Sequence, residues 1–185
     1  RGLPNFTVTA VDRASGDFQT RSALAQGQLM GYEYTQNYDW IGEAKQAGAE
    51  AVEKLTAKPV EAGKYDLVLH PSHLFLTIHE SVGHSTELDR ALLWEANYAG
   101  TSFLTPDKRG KLQFGSKIVN FFADRTQKHG LASVGWDDEG VAGQKWDLVK
   151  EGKFVGWQTT RDLAAVGGDK ESRGCLHADS WSSVP

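Results

Sequence analysis

The first part of the chain alternates apolar and polar positions in a way that predicts a β-hairpin. Residues 5–36 contain an alternating run around Phe6–Val11, a turn at Ser15-Gly16 and a second run that returns along the first. Successive side chains of a strand point to opposite faces of the sheet, so a strand with one face in water shows this period of two. We therefore predict a hairpin at the start of the chain.

The next segment, residues 39–57, follows the period of a helix. Glu50 and Lys54 lie four residues apart, where opposite charges face each other on a helix, and Pro59 ends the pattern. The apolar and small positions recur at intervals of three or four residues: Ile41, Ala44, Gly48, Val52 and Leu55. The pattern predicts one amphipathic helix.

A short apolar run, Tyr65–Leu69, follows this helix. Gly63 precedes it and Pro71 comes after it, as is typical of a short buried strand. The positions from Leu74 to about Ala96 then have helical character. We predict a strand that leads directly into a long helix.

From about Thr101 the pattern becomes that of β structure. KIVNFFADRT (residues 117–126) predicts a strand, and KWDLVKEGKFVGWQT (145–159) predicts a hairpin that turns at Glu151-Gly152. RDLAAVGG (161–168) predicts a short helix ended by its two glycines. The predicted fold class is α+β, mostly antiparallel sheet, with a long motif-bearing helix after a short strand.

Composition and charge exclude several functional classes. The chain is 39% hydrophobic and 24% charged, with a net charge of -4, which is typical of a globular protein. Direct nucleic-acid binding would need a basic patch, and the sequence contains none. No apolar run approaches the roughly 18 residues that a membrane span needs. The single cysteine, Cys175, excludes an internal disulfide framework and favours a reducing compartment.

The segment TIHESVGHSTELDR, residues 77–90, carries the candidate chemistry. His79 and Glu80 are followed by His84, so the two histidines lie five residues apart instead of the four of H-E-x-x-H zinc sites. On a regular α-helix five residues place two side chains about 140° apart, and both cannot face one ion. A metal site therefore requires a π-bulge, which we predict around Val82-Gly83, with Gly83 easing its strain.

Residues around this motif admit two interpretations each. Glu87 and Asp89 are either metal ligands or the polar face of the helix, and we favour the polar face. His70 and His73 flank the predicted strand-to-helix turn and are interpreted as loop and cap residues. Taken alone, His-Glu-x-x-x-His leaves open whether the histidines bind metal, because histidines on helices commonly do not. The six tryptophans are interpreted as residues that fill cores and hairpin faces rather than as a peptide-binding lining.

Two stretches of the chain resemble a known family. GKYDLVLHPSHLFLTIHESVGHSTELD (residues 63–89) is similar to the segment that defines the TldD/PmbA metallopeptidases, also called gyrase modulators. There, a short strand leads into a helix with His-Glu-x-x-x-His and an acidic residue three places on, here Glu87. GWDDEGVAGQKWDLVKEGKFVGWQTTRDLAAVGG (135–168) resembles the family's Asp-Asp-Glu-Gly turn, hairpin and short helix. The similarity extends over roughly residues 35–185.

The resemblance implies a zinc-dependent peptidase that acts on unfolded or extended peptides in the cytoplasm. By position, His79 and His84 become zinc ligands and Glu80 the general base. Glu87, Asp138 and Glu139 become possible supporting residues. The family also implies a homo- or heterodimer with a paired subunit.

The family takes its third ligand from a cysteine near its C-terminus. Cys175 lies instead in SRGCLHADSW (residues 172–181), which resembles the preceding polar strand, so we do not transfer the ligand role to it. We expect a fragment in which residues 1–62 form a hairpin and linking helix at the end of an N-terminal portion. Residues 63–185 are then a metallopeptidase domain truncated at its C-terminus, with the third ligand outside this chain.

Two other functions compete with this interpretation. A non-catalytic subunit or interaction module of a paired assembly would keep the fold, but it is expected to lose a motif residue, and all three are present. An unrelated metal-binding hydrolase would need only His79, Glu80 and His84, and would leave the Asp-Asp-Glu-Gly turn unexplained. We favour the metallopeptidase.

Overall fold

The computed structural model describes residues 1–178 and 180–183. The chain divides into two units, Arg1–Val68 with His129–Leu131, and Leu69–Lys128 with Ala132–Pro185. Each unit combines helices with an antiparallel sheet. The predicted α+β class is confirmed.

The first unit is a hairpin beside a helix. Strands β1 (Thr7–Val11) and β2 (Phe18–Ser22) pair antiparallel, and two helices follow, α1 (Tyr32–Gln36) and α2 (Trp40–Lys54). The Asp39 side chain accepts a hydrogen bond from the backbone of the first turn of α2, which satisfies a free N–H group there. The predicted hairpin and helix are confirmed.

The second unit begins with the motif segment. Helix α3 (Pro71–Ile78) continues into a π-turn (His79–Gly83) and a 3₁₀ turn (His84–Thr86), and α4 (Leu88–Ala91) follows. Glu87 has extended backbone angles between the last two elements. The prediction of one long helix over this segment is therefore wrong.

A three-stranded antiparallel sheet and a short helix complete the second unit. Strands β3 (Phe121–Asp124), β4 (Lys145–Lys150) and β5 (Lys153–Phe154) lie in that order, and α5 is Arg161–Ala164. The turn between β4 and β5 has positive φ at Glu151 and Gly152, as a tight hairpin turn requires. These predicted strands, this hairpin and this short helix are confirmed.

The core of the second unit holds the motif segment in place. One buried cluster consists of Leu88, Ala91, Leu104, Phe154, Trp157 and Leu163, and a second consists of Val82, Trp146 and Leu148. The core interpretation is confirmed for these two tryptophans. Trp94, Trp136 and Trp181 are exposed.

Two predicted strands do not form. Tyr65–Leu69 is not a strand, because no neighbouring strand hydrogen-bonds to it within residues 1–178 and 180–183, and its apolar side chains are exposed. The polar strand expected at residues 172–181 is also missing from the residues that are described; Asp179 lies outside them. No described helix has the length and apolar character that a membrane crossing demands.

Candidate metal centre

The start of α3 is fixed by local capping. His70 is the N-cap residue, and its Nδ1 accepts a hydrogen bond from the backbone N–H of Ser72 at 3.3 Å. Pro71 occupies the first turn, where a missing N–H costs nothing. The interpretation of His70 as a cap residue is confirmed, and His73 lies within the first turns of the helix.

The π-turn brings the two motif histidines together. The backbone N–H of His84 donates to the carbonyl of His79, five residues earlier, as in a π-helix. The two imidazole rings lie 4.2 Å apart between centroids, at 71° to each other. The predicted helix irregularity is confirmed.

Gly83 is not the cause of this irregularity. Its backbone angles, φ -54° and ψ -68°, are accessible to any residue. A Cβ at this position would meet only the Ile78 carbonyl oxygen, at 4.0 Å. The expectation that a glycine relieves strain here is therefore wrong.

Side-chain donors stabilise the end of the π-turn. The Ser85 hydroxyl donates to the Ser81 carbonyl at 2.7 Å, and the Thr86 hydroxyl donates to the Val82 carbonyl at 2.8 Å. Gln158 Nε2 donates to the Gly83 carbonyl at 2.6 Å. These bonds satisfy carbonyl groups that the change in helix type leaves without regular partners.

Gln158 also aligns the backbone after the π-turn. Its N–H donates to the Thr86 carbonyl at 2.8 Å, and its carbonyl accepts from the Leu88 N–H at 3.3 Å. This parallel bridge occupies backbone groups that a continuous helix would use, which explains the extended residue Glu87 between them. Gln158 was missed by sequence reasoning, because nothing local links it to a segment more than 70 residues earlier.

The motif side chains point away from the core. Val82 is buried against Trp146 and Leu148, whereas the His79 and Glu80 side chains are 56% and 61% exposed. The His84 side chain is 29% exposed. The segment thus presents its polar groups on the accessible side.

The three motif residues form a candidate metal-binding group. One ligand atom each of His79, Glu80 and His84 lies within 4.8 Å of the others, and His79 Nε2 is 3.8 Å from Glu80 Oε1. Imidazole nitrogens and carboxylate oxygens are common metal ligands, and the exposed side of the group is open to water. In the part of the chain that the structure describes, this is the one such group.

Glu87 and Asp89 lie beside this group and are not part of it. Glu87 Oε1 is 2.9 Å from His84 Nδ1, and its other carboxylate oxygen pairs with Arg90. Asp89 is half-buried, and burial raises the pKa of its carboxyl group, opposed by a hydrogen bond from the Arg90 N–H. Asp89 therefore does not lie on an open polar face.

The Asp-Asp-Glu-Gly turn acts as a structural junction. The buried Asp137 accepts hydrogen bonds from the N–H groups of Glu139, Val141 and Leu176. Asp138 accepts one from the Ala178 N–H at 2.7 Å, and Glu139 accepts one from the Arg161 N–H at 2.9 Å. Asp138 and Glu139 thus hold neighbouring segments, and neither joins the described group of candidate metal ligands.

A cleft of about 530 Å³ adjoins the motif segment. Glu87, Asp89, Arg90, Gln158 and Cys175 contribute to its lining. Burial raises the pKa of the Cys175 thiol to about 11, so the thiol is protonated at neutral pH. Cys175 does not belong to the described group of candidate metal ligands.

An α+β unit in which a π-turn brings two histidines and a glutamate together has the character of a metallopeptidase domain. The family described as the PmbA/TldA metallopeptidase C-terminal domain matches residues 62–175, more than half of the chain. This chain belongs to the PmbA/TldD metallopeptidase family.

Individual relatives agree with this family. A metalloprotease of Methanocaldococcus jannaschii is 29% identical over 157 residues, which are 85% of this chain and 32% of the relative. A metalloprotease of Synechocystis sp. is 31% identical over 165 residues, 89% of this chain and 33% of the relative. A zinc metalloprotease TldD homolog of Saccharolobus solfataricus is 27% identical over 115 residues, 62% of this chain and 24% of the relative. The chain spans about a third of the length of the first two.

Solved structures show the same fold. A Thermotoga maritima protein described as a modulator of a DNA gyrase matches with a TM-score of 0.73 and 19% identity, over 95% of this chain and 37% of that one. TldE from Thermococcus kodakarensis matches with a TM-score of 0.60 and 19% identity, over 97% of this chain and 37% of that one.

Proposed function

We propose that this chain carries the catalytic metal site of a zinc-dependent peptidase that hydrolyses unfolded or extended peptides. The observation that carries the proposal is the π-turn, which gathers His79, Glu80 and His84 within 4.8 Å in spite of their unusual spacing. The name of the Saccharolobus solfataricus relative supports zinc as the metal.

Each motif residue has a distinct role in this proposal. His79 and His84 hold the ion, together with a third ligand from outside this chain. When bound, zinc polarises the scissile carbonyl and lowers the pKa of a water molecule to about 7. Glu80, exposed beside His79, accepts the proton of the attacking water and passes it to the leaving amine nitrogen.

Zinc content and peptide hydrolysis, measured together, test these roles. They are compared in this chain and in a form extended at its C-terminus to the length of the curated relatives. We expect about one zinc ion per extended chain by elemental analysis, and none in His84→Ala. Glu80→Gln should keep the zinc and lose roughly 10²–10⁴-fold in hydrolysis. An extended chain that stays metal-free at micromolar zinc would overturn the proposal and favour a non-catalytic subunit.

We also propose that the protein acts in the cytoplasm as a homo- or heterodimer with a paired subunit. The chain is similar both to a TldD homolog and to TldE, which supports two related subunit types. Sedimentation equilibrium of the extended chain, alone and mixed with a TldE-type protein, measures the assembly. A monomer in both samples would contradict it.

A further inference from the structure

We propose that Glu87 is a positioning residue that holds His84 in the tautomer able to bind metal. In this tautomer Nδ1 carries the hydrogen and Nε2 is free to act as a ligand. The inference rests on the proposed function, because it concerns how His84 is prepared for the ion. Glu87 lies outside the ligand group, and its effect on the His84 tautomer exists before any metal binds.

The contact between Glu87 and His84 is direct. Glu87 Oε1 lies 2.9 Å from His84 Nδ1, within hydrogen-bond distance. Both side chains are 29% exposed, so the contact is partly shielded from water. A carboxylate that accepts an imidazole N–H fixes both the ring orientation and the tautomer, and it raises the basicity of the other nitrogen.

The backbone fixes where the Glu87 carboxylate lies. Glu87 is the extended residue that ends the 3₁₀ turn, and it forms a parallel bridge with Gln158. Its second carboxylate oxygen pairs with Arg90 Nε, and Arg90 also donates to the Ala99 carbonyl. The backbone bridge to Gln158 and the ion pair with Arg90 therefore both fix the position of the carboxylate beside the imidazole.

Arg90 offers His84 a competing arrangement. Its terminal nitrogen is 2.8 Å from the same Nδ1 atom, and one nitrogen cannot both donate to Glu87 and accept from Arg90. If Nδ1 accepted from Arg90, the Glu87 oxygen 2.9 Å away would lie beside an atom with no hydrogen to donate, and Nε2 would carry the hydrogen. Only donation to Glu87 leaves Nε2 free, so the two arrangements predict opposite tautomers.

His79 shows that this support is specific to one histidine. Its nearest charged partner is Glu80 at 3.8 Å, beyond hydrogen-bond distance, and its side chain is 56% exposed. We infer that His84 is the preorganised ligand of the pair.

Nitrogen-15 NMR of the metal-free chain, at a pH where the His84 ring is neutral, reads the tautomer directly. In the wild type we expect the His84 hydrogen to lie on Nδ1. The His84 signals are identified as those that disappear from the spectrum of His84→Asn. Glu87→Ala should shift His84 toward the Nε2–H form. Zinc affinity, from competition with a chelator, should fall by roughly 10- to 100-fold in the same variant.

Two further variants separate positioning from a general structural effect. Glu87→Gln keeps an oxygen that accepts the Nδ1 hydrogen, so it should retain most of the wild-type tautomer. Glu95→Ala removes another carboxylate that lines the cleft, and it should leave tautomer and zinc affinity unchanged. A Nε2–H tautomer in the wild type, or an unchanged tautomer in Glu87→Ala, would overturn the inference. Zinc binding unaffected by His84→Asn would instead refute the proposed function and leave the tautomer result standing.

Discussion

The side chain of Gln158 should stabilise the π-turn, and replacing Gln158 with leucine tests this. The amide Nε2 donates to the Gly83 carbonyl at 2.6 Å and to the Thr86 hydroxyl oxygen at 3.1 Å. Leucine has a similar bulk and no donor. The backbone bonds of residue 158 remain available, so the substitution removes mainly the side-chain contacts.

The expected loss can be estimated from these two bonds. A net contribution of about 0.5–1.5 kcal/mol for each gives about 1–3 kcal/mol in total. The Gly83 carbonyl would then depend on the Thr86 hydroxyl, which also donates to the Val82 carbonyl and has only one hydrogen to share. The loss should therefore appear at the turn between His79 and Gly83.

Hydrogen exchange of the His84 amide measures this local stability, because that N–H closes the π-turn onto the His79 carbonyl. A loss of about 1–3 kcal/mol corresponds to about 5- to 150-fold faster exchange. Zinc affinity should fall as well, since the two imidazoles face each other only while the turn is formed.

Gln144→Leu is the matched control for this experiment. Gln144 is also half-buried, and its Nε2 donates to the Ser172 carbonyl at 2.7 Å, away from the motif. It should lower the overall stability without affecting the His84 amide. Equal exchange at His84 in the wild type and in both variants would show that Gln158 does not hold the π-turn.

Other predictions test particular residues. Gly83→Ala should raise the free energy of unfolding by about 0.5–1 kcal/mol, because the site is helical and open; destabilisation in urea would contradict this. Cys175 should react with iodoacetamide at neutral pH roughly 100-fold more slowly than an ordinary thiol, because its pKa rises from 9.0 to about 11 and the thiolate becomes rarer. Labelling at the rate of the unfolded chain would refute the burial argument. Asp137→Ala should lower the free energy of unfolding by about 2–4 kcal/mol, since three backbone N–H groups lose their acceptor, and a loss within error of zero would be inconsistent with that junction.

Local physics made several features predictable. The hairpin turn at Glu151-Gly152 and the short helix before Gly167-Gly168 follow from turn and cap chemistry within a few residues. The π-turn followed from geometry, because two histidines five residues apart can face one ion only on a distorted helix. Its location was therefore predictable, although the reason assigned to Gly83 was not correct.

Tertiary contacts decided the features that the sequence did not reveal. The predicted helix from Leu74 to Ala96 is interrupted because the backbone of Gln158 hydrogen-bonds on both sides of Glu87. Helical periodicity continues through that break, so the local pattern carries no sign of it. The same contact places Glu87 beside His84, and thus the arrangement around the second histidine depends on a residue far along the chain.

Tyr65–Leu69 is the opposite case, because its sequence pattern predicts a strand that does not form. Its apolar residues favour extended backbone, yet a strand also needs a neighbour whose N–H and C=O groups complete the ladder. The propensity for extended backbone depends on the segment alone, whereas strand pairing depends on the rest of the fold. No strand pairs with this segment within the described ranges 1–178 and 180–183. The exposure of Leu67 and Val68 follows from the same lack of a neighbour, because a strand buries its side chains only as part of a sheet.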